Sequence, residues 1–202
     1  HRDLHSFPTR RSSDLSGKGL AAALIMGIAI NTIRASSDKA DLESLVRKCD
    51  SAIREMGFDD KYTVLFLGIA DLKNHTLSYV NAAMPDQFLV VRTVRGPVIK
   101  RLESNNGIVG LVPLKEIAIE EVELRTDDVI ILSSDGLTEL ESEDGMPLEA
   151  SQEFTRLLGE ANDIDAEELV ERLATLGETF VGGAALKDDI TILSAKVGRL
   201  WD

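Results

Sequence analysis

Between Tyr62 and Leu102 the chain reads as four short runs rich in β-branched and aromatic residues, Tyr62–Ala70, Thr76–Asn81, Gln87–Thr93 and Val98–Leu102. Turn-forming clusters part them: Asp71-Leu72-Lys73-Asn74, Met84-Pro85-Asp86 and Arg95-Gly96-Pro97. Such short spacers admit hairpins and exclude the long crossovers that parallel strands need. The middle of the chain is therefore expected to form antiparallel sheet. Further strands are expected at Ile117–Leu124, Val129–Ser133 and Ile190–Val197.

Helical spacing brackets this block. Gly19–Ala35 is a nearly unbroken stretch of small and aliphatic residues, expected as a central helix buried on most sides. Asp41–Met56 places Leu42, Leu45, Val46, Cys49, Ile53 and Met56 on one face, with Gly57 positioned to end the helix. Leu148–Leu158 and Ala166–Phe180 carry the same period. Helices, then many strands, then helices and a closing strand indicate an α+β layered domain rather than alternating parallel units.

With 202 residues, 44% hydrophobic and 28% charged, the chain can build one real core. A formal charge of -13 argues against nucleic acid or anionic lipid as a partner, and part of the acidic excess is open to metal binding. The single cysteine, Cys49, excludes an internal disulfide and fits a reducing cytoplasm. His1, His5 and His75 lack the close helical spacing of a zinc-binding pair, so oxygen ligands would have to hold any metal. Leu20–Ile30 is too short to span a bilayer, and no small-residue cleavage site follows it as in a secretion signal.

The segment from His5 to Leu15 resembles the in-frame translation of a sequencing adapter: it has no periodicity, and its composition changes abruptly afterwards. Residues 1–15 are accordingly read as a leader foreign to the domain, and 16–202 as an incomplete domain.

Three segments carry chemistry. In Asp14-Leu15-Ser16-Gly17-Lys18-Gly19 the glycines permit a tight turn before a helix, but Lys18 is followed by Gly19 rather than by the Ser or Thr of a nucleotide phosphate loop. In Val129-Ile130-Ile131-Leu132-Ser133-Ser134-Asp135-Gly136-Leu137-Thr138-Glu139 an aliphatic strand delivers a carboxylate and then a glycine at its end. That arrangement suits a rigid metal ligand, and also an ordinary Asp-Gly turn. The hydroxyls of Ser133 and Ser134 invite a nucleophile reading, but no histidine is placed by sequence to activate them. In Lys187-Asp188-Asp189-Ile190-Thr191 two adjacent carboxylates enter a strand, where alternation can send one to a site and the other elsewhere.

Taken together and in this order, the segments at 14–19, 134–139 and 188–191 resemble the PPM family of metal-dependent protein phosphatases, in its bacterial branch of stage II sporulation protein E and the stress-response phosphatases. Ser134 stands where the family has threonine, and Tyr79-Val80-Asn81-Ala82-Ala83 adds a supporting match. Met84 follows it where relatives often have Gly-His. The resemblance implies an αββα sandwich, two packed antiparallel sheets flanked by helices, with two divalent ions, Mn2+ or Mg2+, at one end. It implies Asp14, the Leu15 carbonyl, Asp135 and Asp188 as metal ligands, with Gly136 and Asp189 in support and Asp189 as the second choice for the last position. Metal-activated water, with no protein nucleophile, would hydrolyse phosphoserine or phosphothreonine on a bacterial signalling protein, such as a sigma-factor regulator. An N-terminal sensor domain in the intact protein belongs to the same expectation. The family's upstream Gly-Gly-Asp segment has adapter-like residues in its place, which leaves a catalytically impaired binding module or an inactive fragment as the alternative.

Overall fold

The computed structural model describes residues 20–36, 41–57, 61–182, 186 and 188–198. The elements follow as α1 (Leu20–Ser36), α2 (Leu42–Arg54), β1 (Leu65–Asp71), β2 (Thr76–Ala82), β3 (Gln87–Thr93), β4 (Gly96–Leu102), β5 (Glu120–Glu123), β6 (Val129–Ser133), α3 (Asp135–Thr138), α4 (Gln152–Glu160), α5 (Ala166–Phe180) and β7 (Ile192–Lys196). One sheet has the order β1-β2-β5 and the other β4-β3-β6-β7, with every pairing antiparallel.

The turns are set by local chemistry. Asp71 Oδ1 accepts hydrogen bonds from the backbone N–H groups of Lys73 and Asn74, each at 2.9 Å, and thereby folds the chain back from β1 into β2. At the β3–β4 turn the Thr93 hydroxyl donates to the Gly96 carbonyl at 2.6 Å and accepts from Arg95 N at 3.2 Å. The link from β2 to β3 is different, because it leaves one sheet for the other. Asn81, fully buried, organises it: its Nδ2 donates to the carbonyls of Pro85 (3.1 Å) and Leu102 (3.2 Å), and its Oδ1 accepts from Met84 N (3.0 Å).

Three apolar clusters give the layering. Ile25, Val46, Cys49 and Ile53 from α1 and α2 pack on Leu65 and Val80. Phe66, Leu77, Tyr79, Leu89, Val91 and Leu102 fill the space between the sheets. Phe88, Val90, Val129 and Ile131 face Leu157, Leu169 and Leu173 of α4 and α5. The expected α+β sandwich of two antiparallel sheets flanked by helices is thus the fold. β3 is buried on both faces, which is why it reads as a continuous apolar run instead of alternating.

Three details differ from expectation. α1 buries Ala22 and Ile25 and leaves Leu20 78% and Leu24 42% exposed, so it is not enclosed on most sides by the described residues. Its small and aliphatic residues serve a single face, the one that meets α2, where Ile28, Ala29 and Ile33 join the core. The helical run from Leu148 is broken at Ser151, which is extended and caps α4 by accepting Phe154 N at 3.1 Å; Leu148–Ala150 is a separate 3-10 turn. The strand expected over Ile117–Leu124 shrinks to Glu120–Glu123. Among the described residues no helix is long and apolar enough to cross a membrane.

Candidate metal centre

Register decides which ends of the strands meet. Gln87 pairs with Leu102, and Ser133 with Ile192, so the start of β3, the end of β4, the end of β6 and the start of β7 share one end of their sheet. The segment Ala83–Asp86 carries the end of β2 to that same place, beside the start of β1, since Leu65 pairs with Ala82. Asp135 and Asp188 both lie there, one just after β6 and the other just before β7.

Asp135 opens the single helical turn α3, with Ser134 before it in extended conformation as the N-cap. Its Oδ1 accepts from Gly136 N at 2.7 Å, which fixes the carboxylate against its own turn. Buried Gln87 holds the preceding residue from the neighbouring strand: Ser133 N donates to Gln87 Oε1 at 2.7 Å, and Gln87 Nε2 donates to the carbonyls of Ser133 (3.3 Å) and Pro85 (2.7 Å). Gln87 belongs to none of the acidic motifs, and its place at the site comes from strand pairing. The available signal was an amide at the head of an otherwise apolar run, which burial obliges to find partners.

Ser134 joins the two acidic motifs. Its N–H donates to the Thr191 carbonyl at 3.0 Å, its hydroxyl accepts from Thr191 N at 2.9 Å and donates to the Asp189 carbonyl at 3.2 Å. The hydroxyl is committed to this clasp, and Ser133 is 1% exposed, so neither serine is presented as a nucleophile. Gly136 is required by the same contact: a Cβ there would stand 2.2 Å from the Asp189 carbonyl oxygen.

The clasp brings Asp135 and Asp188 to the wall of one cleft of about 550 Å³, together with Thr138, Glu139 and Glu141. Asp188 Oδ1 accepts from Asp189 N at 2.8 Å. Asp189 is not among the residues that line the cleft; its carbonyl serves the clasp, and its side chain is exposed. All four ionisable side chains lining the cleft are carboxylates, a hard oxygen donor set that suits Mg2+ or Mn2+. Among the described residues no group of three or more His, Cys, Asp or Glu stands ready to hold a metal. Asp14 and Leu15, expected to complete the set, lie outside the described residues. A second cleft, of about 620 Å³, adjoins the first and shares Asp135, Thr138 and Glu139 with it.

Residues 12–198 match the family described as stage II sporulation protein E (SpoIIE). Protein IcfG of Synechocystis sp. is 26% identical over 158 residues, which are 64% of this chain and 24% of IcfG, so the chain spans about a quarter of that relative. Among solved structures, the SiaA-PP2C domain of Pseudomonas aeruginosa is 22% identical at a TM-score of 0.75, over 91% of this chain and 73% of that one. The RsbU and RsbW domains of Rv1364c from Mycobacterium tuberculosis are 21% identical at a TM-score of 0.71, over 92% and 52%. The catalytic domain of the serine threonine protein phosphatase PstP, in complex with two manganese ions, is 17% identical at 0.61, over 92% and 86%.

Proposed function

The chain belongs to the stage II sporulation protein E family, and from that premise we propose that it is a metal-dependent phosphatase acting on phosphoserine or phosphothreonine of a signalling protein. The observation that carries the reading is the convergence of Asp135 and Asp188, from motifs on different strands, on one acidic cleft. Asp135, Asp188, Asp14 and the Leu15 carbonyl would hold two divalent ions, Mn2+ or Mg2+; PstP, with its two manganese ions, supports the choice of metal. When bound, such ions activate water and neutralise charge on the phosphoryl oxygens.

The chain's own residues supply rigidity and charge. Each of the two aspartates spends one oxygen on a neighbouring backbone N–H, which limits its rotation and leaves the other oxygen without a donor among the described residues. The Gln87 clamp and the Ser134 clasp keep the two carboxylates in fixed relation, as a ligand set needs if ion positions are to match a phosphoryl group. The substrate we propose is a phosphorylated sigma-factor regulator in a bacterial cytoplasm, in keeping with the family's stress-response branch. A sensor domain preceding the phosphatase domain is part of the same proposal, and the greater length of IcfG is in line with it.

Manganese-dependent hydrolysis of an aryl phosphate tests the reading. Asp135→Asn and Asp188→Asn should each lower the rate by about 100-fold or more, in the range seen when a metal-ligating group is lost. Retention of the rate by both variants overturns the assignment. Asp14→Asn decides between a ligand at 14 and a leader that ends at 15: undiminished activity removes Asp14 from the set. A chain without turnover that still binds manganese would be a binding module.

A further inference from the structure

We infer that the second cleft is a specificity subsite that selects a basic residue, lysine or arginine, next to the phosphorylated serine or threonine. The inference rests on the phosphatase reading for what its occupant belongs to, and on the cleft's own chemistry for which side chain it takes.

The cleft opens directly off the candidate metal centre, since Asp135, Thr138 and Glu139 line both. A polypeptide whose phosphoryl group lies at Asp135 therefore has this cleft within reach of a neighbouring residue. The floor is apolar: Val64, Pro85 and Met84, the last 2% exposed and held by the bond from its N–H to Asn81. Met84 is the residue that departs from the Gly-His of relatives, and the structure puts that departure in the floor of this cleft. At 2% exposure Met84 backs the floor from the core, and the half-buried Tyr62, Val64 and Pro85 supply the apolar surface that an aliphatic stem can cover.

The rim is acidic. The three charged side chains lining the cleft, Asp135, Glu139 and Glu149, are all carboxylates. Glu149 is already engaged: Arg101 donates to it at 2.9 Å and to Asp86 at 3.0 Å, so one cation serves two acids. Glu139 is exposed, its N–H donates to the Asp135 carbonyl at 2.8 Å, and its carboxylate has no hydrogen bond or ion pair among the described residues. Ions held by the proposed set, to which Asp135 and Asp188 belong and Glu139 does not, would neutralise Asp135 and leave Glu139 at the shared edge of the two clefts with its charge. A side chain with an apolar stem and a cationic head satisfies floor and rim together. An acidic neighbour would meet Glu139 without a counter-charge and be rejected, which is discrimination by repulsion as well as attraction.

The test uses labelled peptides in the product form, with an unmodified serine flanked by arginine or by glutamate, and fluorescence anisotropy in the presence of saturating manganese. The wild-type chain should bind the arginine peptide about tenfold more tightly, the effect of roughly one partly screened charge pair with its reversal. Glu139→Gln should shrink the gap below about threefold, Glu139→Lys should reverse it, and Glu139→Asp should keep it. Glu149→Gln, which releases Arg101 toward the rim, should narrow it independently. Equal binding of the two peptides by the wild type, or a gap that survives both Glu139→Gln and Glu139→Lys, overturns the inference. Because binding is read without turnover, failure to hydrolyse an aryl phosphate would count against the phosphatase proposal alone.

Discussion

A methyl group at position 136 has nowhere to go: the obstacle 2.2 Å away is the backbone carbonyl of Asp189, not a side chain that could swing aside. Gly136→Ala must therefore push β7's approach away from α3, and denaturant unfolding should show a loss of about 2–4 kcal/mol, with manganese affinity falling in parallel. Ser134 makes a second residue-scale prediction. Removing its hydroxyl orphans Thr191 N, so Ser134→Ala should cost about 1–2 kcal/mol, whereas Ser134→Thr keeps the hydroxyl and should stay within about 1 kcal/mol of wild type. If Ser134→Ala instead removed turnover while leaving stability and metal affinity intact, the hydroxyl would be doing chemistry and the clasp interpretation would fall.

At the scale of elements, α2 is tied to the β4–β5 connection through one carboxylate. Asp50 is 2% exposed; its Oδ1 accepts from Gly110 N at 3.0 Å, and its Oδ2 accepts from Arg54 Nε at 3.0 Å. Gly110 itself has φ +88, and a Cβ there would meet Ile53 Cγ2 at 2.3 Å, so helix and loop touch backbone to side chain. Asp50→Ala leaves buried donors unpaired and should destabilise by about 2–4 kcal/mol in thermal or urea unfolding. The β1–β2 turn is sensitive to acid. Asp71 is held below its ordinary value of 3.8 chiefly by hydrogen bonds from Asn74. A carboxyl whose pKa is depressed by folding adds stability above its unfolded value, and that contribution is lost as pH falls through the folded value. Unfolding curves for wild type and Asp71→Asn should thus converge as pH drops below 3.8 and separate above it; a constant difference across that range would refute the assignment.

For the molecule as a whole, the proposed ions are ligands that bind only the folded state, so they should raise its stability. At manganese about 100-fold above its Kd the gain is about 2.7 kcal/mol, read as an upward shift of the melting temperature that a chelator reverses and Asp135→Asn abolishes. The sequence alone determined the α+β layered class, which is written in local signals, and the family, whose resemblance in turn implied the sandwich. Strand runs parted by turn residues demand antiparallel sheets, the apolar face of α2 is borne out at Leu42, Leu45, Val46, Cys49 and Ile53 though not at Met56, which lies past the helix and is exposed, and the acidic motifs carry the resemblance in their order. It also pointed to Asp135 and Asp188, since an acid at a strand end is visible without coordinates. It could not separate Ser134 as a clasp from Ser134 as a nucleophile, nor assign Asp188 and Asp189 to different surroundings, nor show Met84 in the floor of a cleft shared with Asp135. Those distinctions depend on partners such as Thr191, Gln87 and Pro85 that are remote in the chain or lie on another strand. Periodicity records which face of an element is apolar; only the pairing of β6 with β7, and the crossing of Ala83–Asp86 from one sheet to the other, decides what that face or strand end meets.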